Sequence, residues 1–163
     1  MGGGYLSPRL LRRWRSQLGC KSPSFLRKDN RKILKEGEYC MITYQQSTGQ
    51  LRSSTGDLIA TGYSGNGPGL NNPAMDNVEK VGPIPAGLWS MASFTTANYE
   101  DKGPNVIHFS PNEDTETHGR SGFLMHGDNS KGDHSASEGC IIMPPHARLQ
   151  AWAEPDRTIQ VIP

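Results

Sequence analysis

The chain lacks the features that would tie it to a membrane, to nucleic acid or to a disulfide framework. No run approaches the roughly 18 apolar residues of a membrane-spanning helix. The net charge is only +1, so no basic surface for nucleic acid is expected. Cys20, Cys40 and Cys140 are an odd number with no repeated spacing, which predicts at least one free thiol. Cys140 is the candidate for that thiol.

The first forty residues differ from the rest in charge. They are strongly basic, with a possible short helix around Arg9 to Leu18, whereas the sequence from Met41 onward is rich in glycine and mildly acidic. We interpret residues 1–40 as a basic N-terminal extension that is flexible or loosely docked; the alternative is a tail for an anionic partner. The extension lacks the apolar stretch and cleavage site of a signal peptide, so export by the general route is not expected. Residues 41–163 are predicted to form one catalytic domain.

The composition of this domain favours short strands joined by tight turns. The chain of 163 residues contains nineteen glycines and twelve prolines. "MITYQQSTGQLRSS" predicts a hairpin, "VGPIPAGLWSMASF" a strand entered through a rigid turn, and "SGNGPGLNNPAMDN" a long surface loop. "HARLQAWAE" predicts a short helix. We therefore predict a mainly β fold.

The stretch "FLMHGDNSKGDHSASEGC" carries the candidate chemistry. His126 ends one apolar run, and Cys140 directly precedes another, "IIM". Two adjacent strand ends joined by the polar loop would bring the imidazole and the sulfur together, as nucleophilic catalysis by cysteine requires. Gly139 permits a sharp turn, and backbone N–H groups around Gly139 and Cys140 would then point at the oxyanion.

Two other interpretations of this stretch stay open. A cysteine before an apolar run is often a buried small side chain, and a histidine near a turn is often a surface residue. His126, Asp128, His134 and Cys140 are also donors suited to zinc, but their spacings match no tight ligand pair, so no metal is predicted.

The sequence resembles a known family at this point. "HGDNSKGDHSASEGCI" is similar to the signature of the L,D-transpeptidase (YkuD-like) catalytic domain, and "GPIPAGLWSM" resembles a strand of that family. The resemblance is closer to the Tlde1-like antibacterial effectors of type VI secretion, through "GYSGNG", "NNP", "GPIPAG", "HGDN" and "SEGCI". It covers roughly residues 42–163. It implies a YkuD-like β-sandwich or barrel with one or two short helices.

The resemblance also implies catalytic roles. Cys140 would be the nucleophile and His126 the general base, with the backbone carbonyl of Gly127 or Asp128 orienting the imidazole. Gly139 would be part of the catalytic turn.

Further residues are implied to bind substrate. Ser137 fills the family's serine position, and Tyr63 and Ser64 would line the cleft. The commoner transpeptidases carry a polar residue, often arginine, where this chain has Ile142. Arg120 or Arg148 would then supply the positive charge for a substrate carboxylate.

The implied activity is that of a cysteine L,D-carboxypeptidase or L,D-transpeptidase acting on peptidoglycan. It would cleave tetrapeptide stems between meso-diaminopimelate and D-alanine, or exchange the D-alanine, without a cofactor. An effector of this kind would be made in the cytoplasm, secreted, and active in the periplasm of a target bacterium. Its implied partners are the stem peptides, a cognate immunity protein and a component of the secretion machinery. The alternatives are a noncatalytic wall-binding module and a zinc-dependent peptidase.

Overall fold

A computed structural model describes residues 41–163, and this part of the chain is mainly β, as predicted. It contains nine strands, one α-helix and three 3-10 helices. The strands are β1 Ile42–Gln45, β2 Gln50–Arg52, β3 Leu58–Thr61, β4 Tyr63–Ser64, β5 Gly87–Thr95, β6 Val106–Pro111, β7 Leu124–His126, β8 Ile141–Ile142 and β9 Thr158–Ile162. The helix α1 spans Pro145–Ala153, and the 3-10 helices span Gly67–Gly69, Pro73–Met75 and Glu100–Lys102. The predicted basic extension, with its helix, lies outside the described residues.

All nine strands belong to one sheet, in the order β3-β2-β1-β9-β5-β6-β7-β8-β4. The predicted hairpin is confirmed, because β1 and β2 pair antiparallel across the turn at Gly49. The predicted long loop is also confirmed, and two of the short 3-10 helices lie within it. Strands β7 and β8, which carry the candidate chemistry, pair parallel near one end of the order.

The sheet is curled into a nearly closed barrel. Strands β3 and β4 stand at opposite ends of the strand order, yet Gly62 alone separates them in sequence. The two ends of the sheet must therefore approach each other. A Cβ at Gly62 would lie 1.9 Å from the carbonyl oxygen of Ile142, so only glycine fits where the ends meet.

The core lies inside the curled sheet and beneath α1. Its largest fully buried side chains include Trp89, Tyr44 and Met125. The helix begins at Pro145, where a proline costs no intrahelical hydrogen bond. Its buried residues are Ala147, Arg148 and Ala151, whereas Leu149 is half exposed.

Candidate active site

The register of β7 and β8 places His126 and Cys140 on the same face of the sheet. His126 pairs with Ile142, and Met125 with Ile141, so Cys140 lies two positions before the partner of His126. Alternate residues of a strand share a face, and both side chains therefore point the same way. They line one open cavity of about 570 Å³. The two residues singled out by sequence thus meet in one cavity.

His126 is held in one orientation by its own backbone neighbour. Its Nδ1 lies 2.7 Å from the carbonyl oxygen of Gly127, so this nitrogen carries the proton and donates it. The Nε2 atom is buried and has no hydrogen-bond partner among the described residues. A bare Nε2 lone pair facing inward is the arrangement a general base needs. The sequence left open whether the carbonyl of Gly127 or that of Asp128 orients the imidazole, and in the structure it is the carbonyl of Gly127.

The imidazole is neutral at rest. Burial lowers the pKa of His126 to about 4, because the side chain is only 1% exposed and the charged form loses its water. The hydrogen bond to Gly127 raises this pKa, whereas the positive charges of Lys102 and Arg148 lower it further. The result is a weak base that is unprotonated at neutral pH.

The cysteine is also neutral at rest. Cys140 is a free thiol, and its Sγ lies 3.9 Å from the carbonyl oxygen of Gly122. Burial raises the pKa of the Cys140 thiol, while a hydrogen bond from the backbone of Leu124 lowers it in part. Positive charge from Lys102 lowers this pKa as well. The resting site therefore holds a thiol and a neutral imidazole, not a preformed ion pair.

Ser137 builds the turn that carries the thiol. Its hydroxyl donates to the carbonyl oxygen of Cys140 at 2.6 Å. The hydroxyl oxygen of Ser137 in turn accepts the N–H groups of Gly65, at 2.8 Å, and Gly139, at 3.1 Å. The Gly139 N–H is therefore bonded within the turn. Its contact with the oxyanion stays a prediction, and it would require the hydrogen bond from Gly139 to Ser137 to break.

The "GYSGNG" motif fixes the same turn from the opposite side. Ser64 donates to the carbonyl oxygen of Gly139 at 3.1 Å and accepts the N–H of Ile84 at 2.9 Å. Asn66 donates to the carbonyl oxygen of Ser137 at 2.7 Å. Ser64 and Ser137 are both fully buried. In this structure both serines position the turn, and their predicted role in substrate binding stays a prediction.

Arg120 is also bonded within the protein. It is 8% exposed, and its two terminal nitrogens donate to four backbone carbonyls. These carbonyls belong to Asp76, Gly82, Pro83 and Glu138. The guanidinium thus ties the "GPIPAG" segment to the "SEGC" turn, and its predicted contact with a substrate carboxylate stays a prediction.

Gly139 is required because Arg120 packs against it. The glycine has φ +128°, and a Cβ there would lie 2.2 Å from Nη2 of Arg120 and 3.1 Å from the ring of Phe123. No side chain fits this position. The glycine before Cys140 therefore allows the close approach of Arg120.

Tyr63 and Arg148 line a second cavity, which the residues Gly127 and Asp128 also border. The Tyr63 hydroxyl donates to Oδ1 of Asp128 at 2.6 Å, and burial raises the pKa of this phenol. Cys140 does not line this cavity. Tyr63, which was predicted to line the cleft, thus lines the neighbouring cavity. Asp128 also stabilises its own turn, because it accepts the Asn129 N–H at 2.8 Å.

Several residues of the thiol cavity were not predicted from the sequence. Tyr99, Lys102 and His108 line it from the connection between β5 and β6 and from β6 itself. His108 lies 3.1 Å from Oγ1 of Thr95 and packs edge-on against Tyr99. No local pattern marks these residues, because the sheet alone brings their strand beside β7.

The zinc interpretation finds no ready ligand set in residues 41–163. No group of three or more His, Cys, Asp or Glu side chains there lies close enough to hold a metal ion. His134 instead packs edge-on against Tyr63, with ring centroids 4.9 Å apart.

None of the helices in residues 41–163 has the length and apolar character needed to span a membrane.

The fold and the site together define a mainly β domain with a cysteine and a histidine in one cavity. The model of the Tlde1 domain matches residues 59–160, and the chain belongs to this family. All five motifs that carried the resemblance lie within the matched residues.

The NMR structure of the catalytic domain from an E. faecium L,D-transpeptidase is similar to this chain at 15% identity, with a TM-score of 0.44, over 80% of this chain and 100% of that one. No curated protein matches the sequence.

Proposed function

We propose that the protein is a cysteine L,D-carboxypeptidase or L,D-transpeptidase acting on tetrapeptide stems of peptidoglycan. Membership of the Tlde1 domain family supports a peptidoglycan-modifying enzyme at the level of the family. The observation that carries the finer proposal is the bare Nε2 of His126 on the same face, and in the same cavity, as the Cys140 thiol. A nucleophile and a base so arranged are suited to acyl transfer.

In the first step Nε2 of His126 takes the thiol proton as Sγ of Cys140 attacks the carbonyl carbon of diaminopimelate. The C–N bond to D-alanine then breaks, and the imidazolium returns the proton to the leaving amine. A thioester joins the stem to Cys140. Attack by water releases the tripeptide stem, whereas attack by the amine of a D-amino acid or a second stem gives exchange.

The electrostatics of the site suit proton transfer during attack. Both partners are neutral at rest, since the pKa of the thiol is raised and that of the imidazole lowered. The transient thiolate is favoured by Lys102 and Arg120, whose positive charges lower the Cys140 pKa. The pair therefore becomes ionic only as the substrate carbonyl takes up the negative charge.

The biological setting rests on the family resemblance. We propose delivery by a type VI secretion machine into the periplasm of a rival, with a cognate immunity protein protecting the producer. These parts of the proposal need tests in cells and are separate from the reaction.

The reaction is tested with purified disaccharide tetrapeptides and the full chain, following D-alanine release by mass spectrometry. We expect release by wild type, loss of at least 1,000-fold in Cys140→Ala and His126→Ala, and near wild-type release in His146→Ala, a matched control at an exposed histidine. Release that survives Cys140→Ala would overturn the nucleophile assignment.

The same assay separates the alternatives. Loss of release on adding a chelator, restored by zinc, would favour a metallopeptidase. Absence of release by wild type, combined with retention of the protein on purified sacculi, would favour a noncatalytic wall-binding module.

A further inference from the structure

The second cavity, of about 640 Å³, lies beside the catalytic base but is not part of the thiol site. Gly127 borders it, and the carbonyl of this same residue holds His126. Its polar walls are Arg148, Asp128, Tyr63 and His134, and Met143 with two prolines forms an apolar side. Nothing in the proposed reaction uses these polar groups.

Arg148 is a buried cation with unused donors. It is 3% exposed, and its Nη1 donates to the carbonyl oxygens of Pro104 and Asn105. Its Nε is buried without a partner among the described residues, and Nη2 lies against Gly127. Within the described residues no carboxylate lies within 4.0 Å of it. Arg148 lines the cavity, and a guanidinium with unused donors pairs well with the two oxygens of a carboxylate, so this wall points to such a ligand.

Asp128 supplies the opposite charge in the same cavity. Its Oδ1 accepts hydrogen bonds from Tyr63 and from the backbone of Asn129. In the described chain it forms no ion pair with Arg148, although both residues line the cavity. The wall therefore presents a cationic and an anionic group that do not neutralise each other.

We propose that this cavity binds a free α-amino-acid group, with the ligand carboxylate on Arg148 and its ammonium on Asp128. Two sources carry this chemistry: a free D-amino acid, and the side-chain end of diaminopimelate in a stem peptide. The site is inferred from the residues that line the cavity. The choice of these two ligand sources rests on the proposed function.

The binding test uses the full chain with Cys140→Ala, which prevents turnover, and ¹⁵N NMR titration. D-alanine should shift the amides of Gly127 and Met143. N-acetyl-D-alanine, which lacks the ammonium, and D-alaninamide, which lacks the carboxylate, should each bind at least tenfold more weakly. Equal binding of all three, or shifts centred on Gly122 and Lys102 at the thiol cavity, would overturn the proposal.

Protein variants test the two charged groups. Asp128→Asn and Arg148→Gln should each weaken D-alanine binding at least tenfold, while Asp133→Asn, an exposed carboxylate in the same loop, should leave it unchanged. If Arg148→Gln does not fold, Asp128→Asn and the two ligand analogues still decide the matter. Unchanged binding by Asp128→Asn would contradict the assignment.

The source of the ligand is identified by competition. A tetrapeptide stem with diaminopimelate should displace D-alanine if the stem is the natural ligand, and a stem with lysine at that position should not. If neither stem displaces it, the free amino acid is the ligand. Absence of binding by both D-alanine and the diaminopimelate stem overturns the site even where wild type releases D-alanine, so this failure is distinct from failure of the proposed function.

Discussion

The imidazole of His126 is prepared for its role by a single backbone contact. The carbonyl oxygen of Gly127, 2.7 Å from Nδ1, selects the tautomer that leaves Nε2 as the acceptor. Burial then removes water from Nε2, which keeps the ring neutral and leaves its lone pair for the substrate reaction. Within residues 41–163, the His126 ring is thus oriented by a backbone carbonyl and not by a carboxylate.

This burial makes the stability of the protein depend on His126 at acidic pH. The pKa of His126 is about 4 in the folded protein, below the ordinary 6.5 of the unfolded chain. The unfolded state therefore binds the extra proton first, and stability is lost as pH falls from about 6.5 toward 4. Between pH 7.5 and 4.5 we expect this residue to cost about 2–3 kcal/mol of unfolding free energy.

Urea unfolding at the two pH values checks this expectation. The loss of stability on acidification should be about 2–3 kcal/mol smaller in His126→Asn than in wild type, because the substituted residue does not titrate. His146→Asn, at an exposed site, should behave as wild type. Equal acid sensitivity of wild type and His126→Asn would show that the burial of the ring does not set the pH dependence.

At the level of elements, the turn of residues 137–140 is where the motifs meet. "GYSGNG" reaches it through Ser64 and Asn66, and "GPIPAG" through Arg120. Every one of these contacts uses a backbone atom of the turn or of the "GPIPAG" segment. The motifs therefore share one function, which is to hold the backbone before Cys140 in a fixed shape.

Ser137→Ala tests the importance of this turn. The change leaves the buried N–H groups of Gly65 and Gly139 without their acceptor, which should destabilise the protein by about 2–4 kcal/mol. It should also lower kcat for D-alanine release at least tenfold while the Cys140 thiol is retained. Thermal unfolding and the release assay measure the two effects.

The control is Ser130→Ala, an exposed serine between the same two strands, which should stay within about 0.5 kcal/mol of wild type. If Ser137→Ala matched this control in both stability and kcat, the turn would not depend on the serine hydroxyl.

At the scale of the whole molecule, the closing of the sheet places neighbouring residues at the second cavity and at the turn before Cys140. Strand β4 follows β3 in the chain but pairs with β8, the strand that follows Cys140. The step from one end of the sheet to the other occurs at Gly62, whose neighbour Tyr63 lines the second cavity. Because the sheet closes here, Tyr63 lines the second cavity, whereas the next residue, Ser64, bonds the turn before Cys140.

Gly62→Ala should disrupt this closure. The added Cβ would lie 1.9 Å from the carbonyl oxygen of Ile142 and 3.0 Å from Sδ of Met143, so the backbone must move. We expect a loss of more than about 3 kcal/mol of unfolding free energy or failure to fold. Gly67→Ala is the comparison: its φ of +50° is strained for alanine, but nothing lies within 4 Å, so the cost should be about 1–2 kcal/mol. Chemical denaturation measures the unfolding free energy of both variants. Equal losses in Gly62→Ala and Gly67→Ala would show that the close contact between Gly62 and the carbonyl of Ile142 does not matter for stability.

Local features of the sequence were sufficient to predict the strands, the hairpin and the proximity of His126 and Cys140 in one cavity. Alternation and turn-forming residues act over a few positions, so the predicted strands appear near their expected bounds. His126 and Cys140 were found because each residue type has a specific chemistry and each adjoins an apolar run. The parallel pairing of β7 and β8 was not predictable from the loop that joins them, since the loop alone does not set the direction of the second strand.

Contacts between distant segments decided the roles of the remaining residues. Ser64 bonds a carbonyl 75 positions away, and Arg120 bonds carbonyls 37 and 38 positions away. No local pattern encodes such partners, so Ser64 and Arg120 were predicted to bind substrate although the fold buries them. The same holds for Arg148: its residue type allowed a carboxylate, but only the packing of the helix against the curled sheet left one edge of its guanidinium without an acceptor.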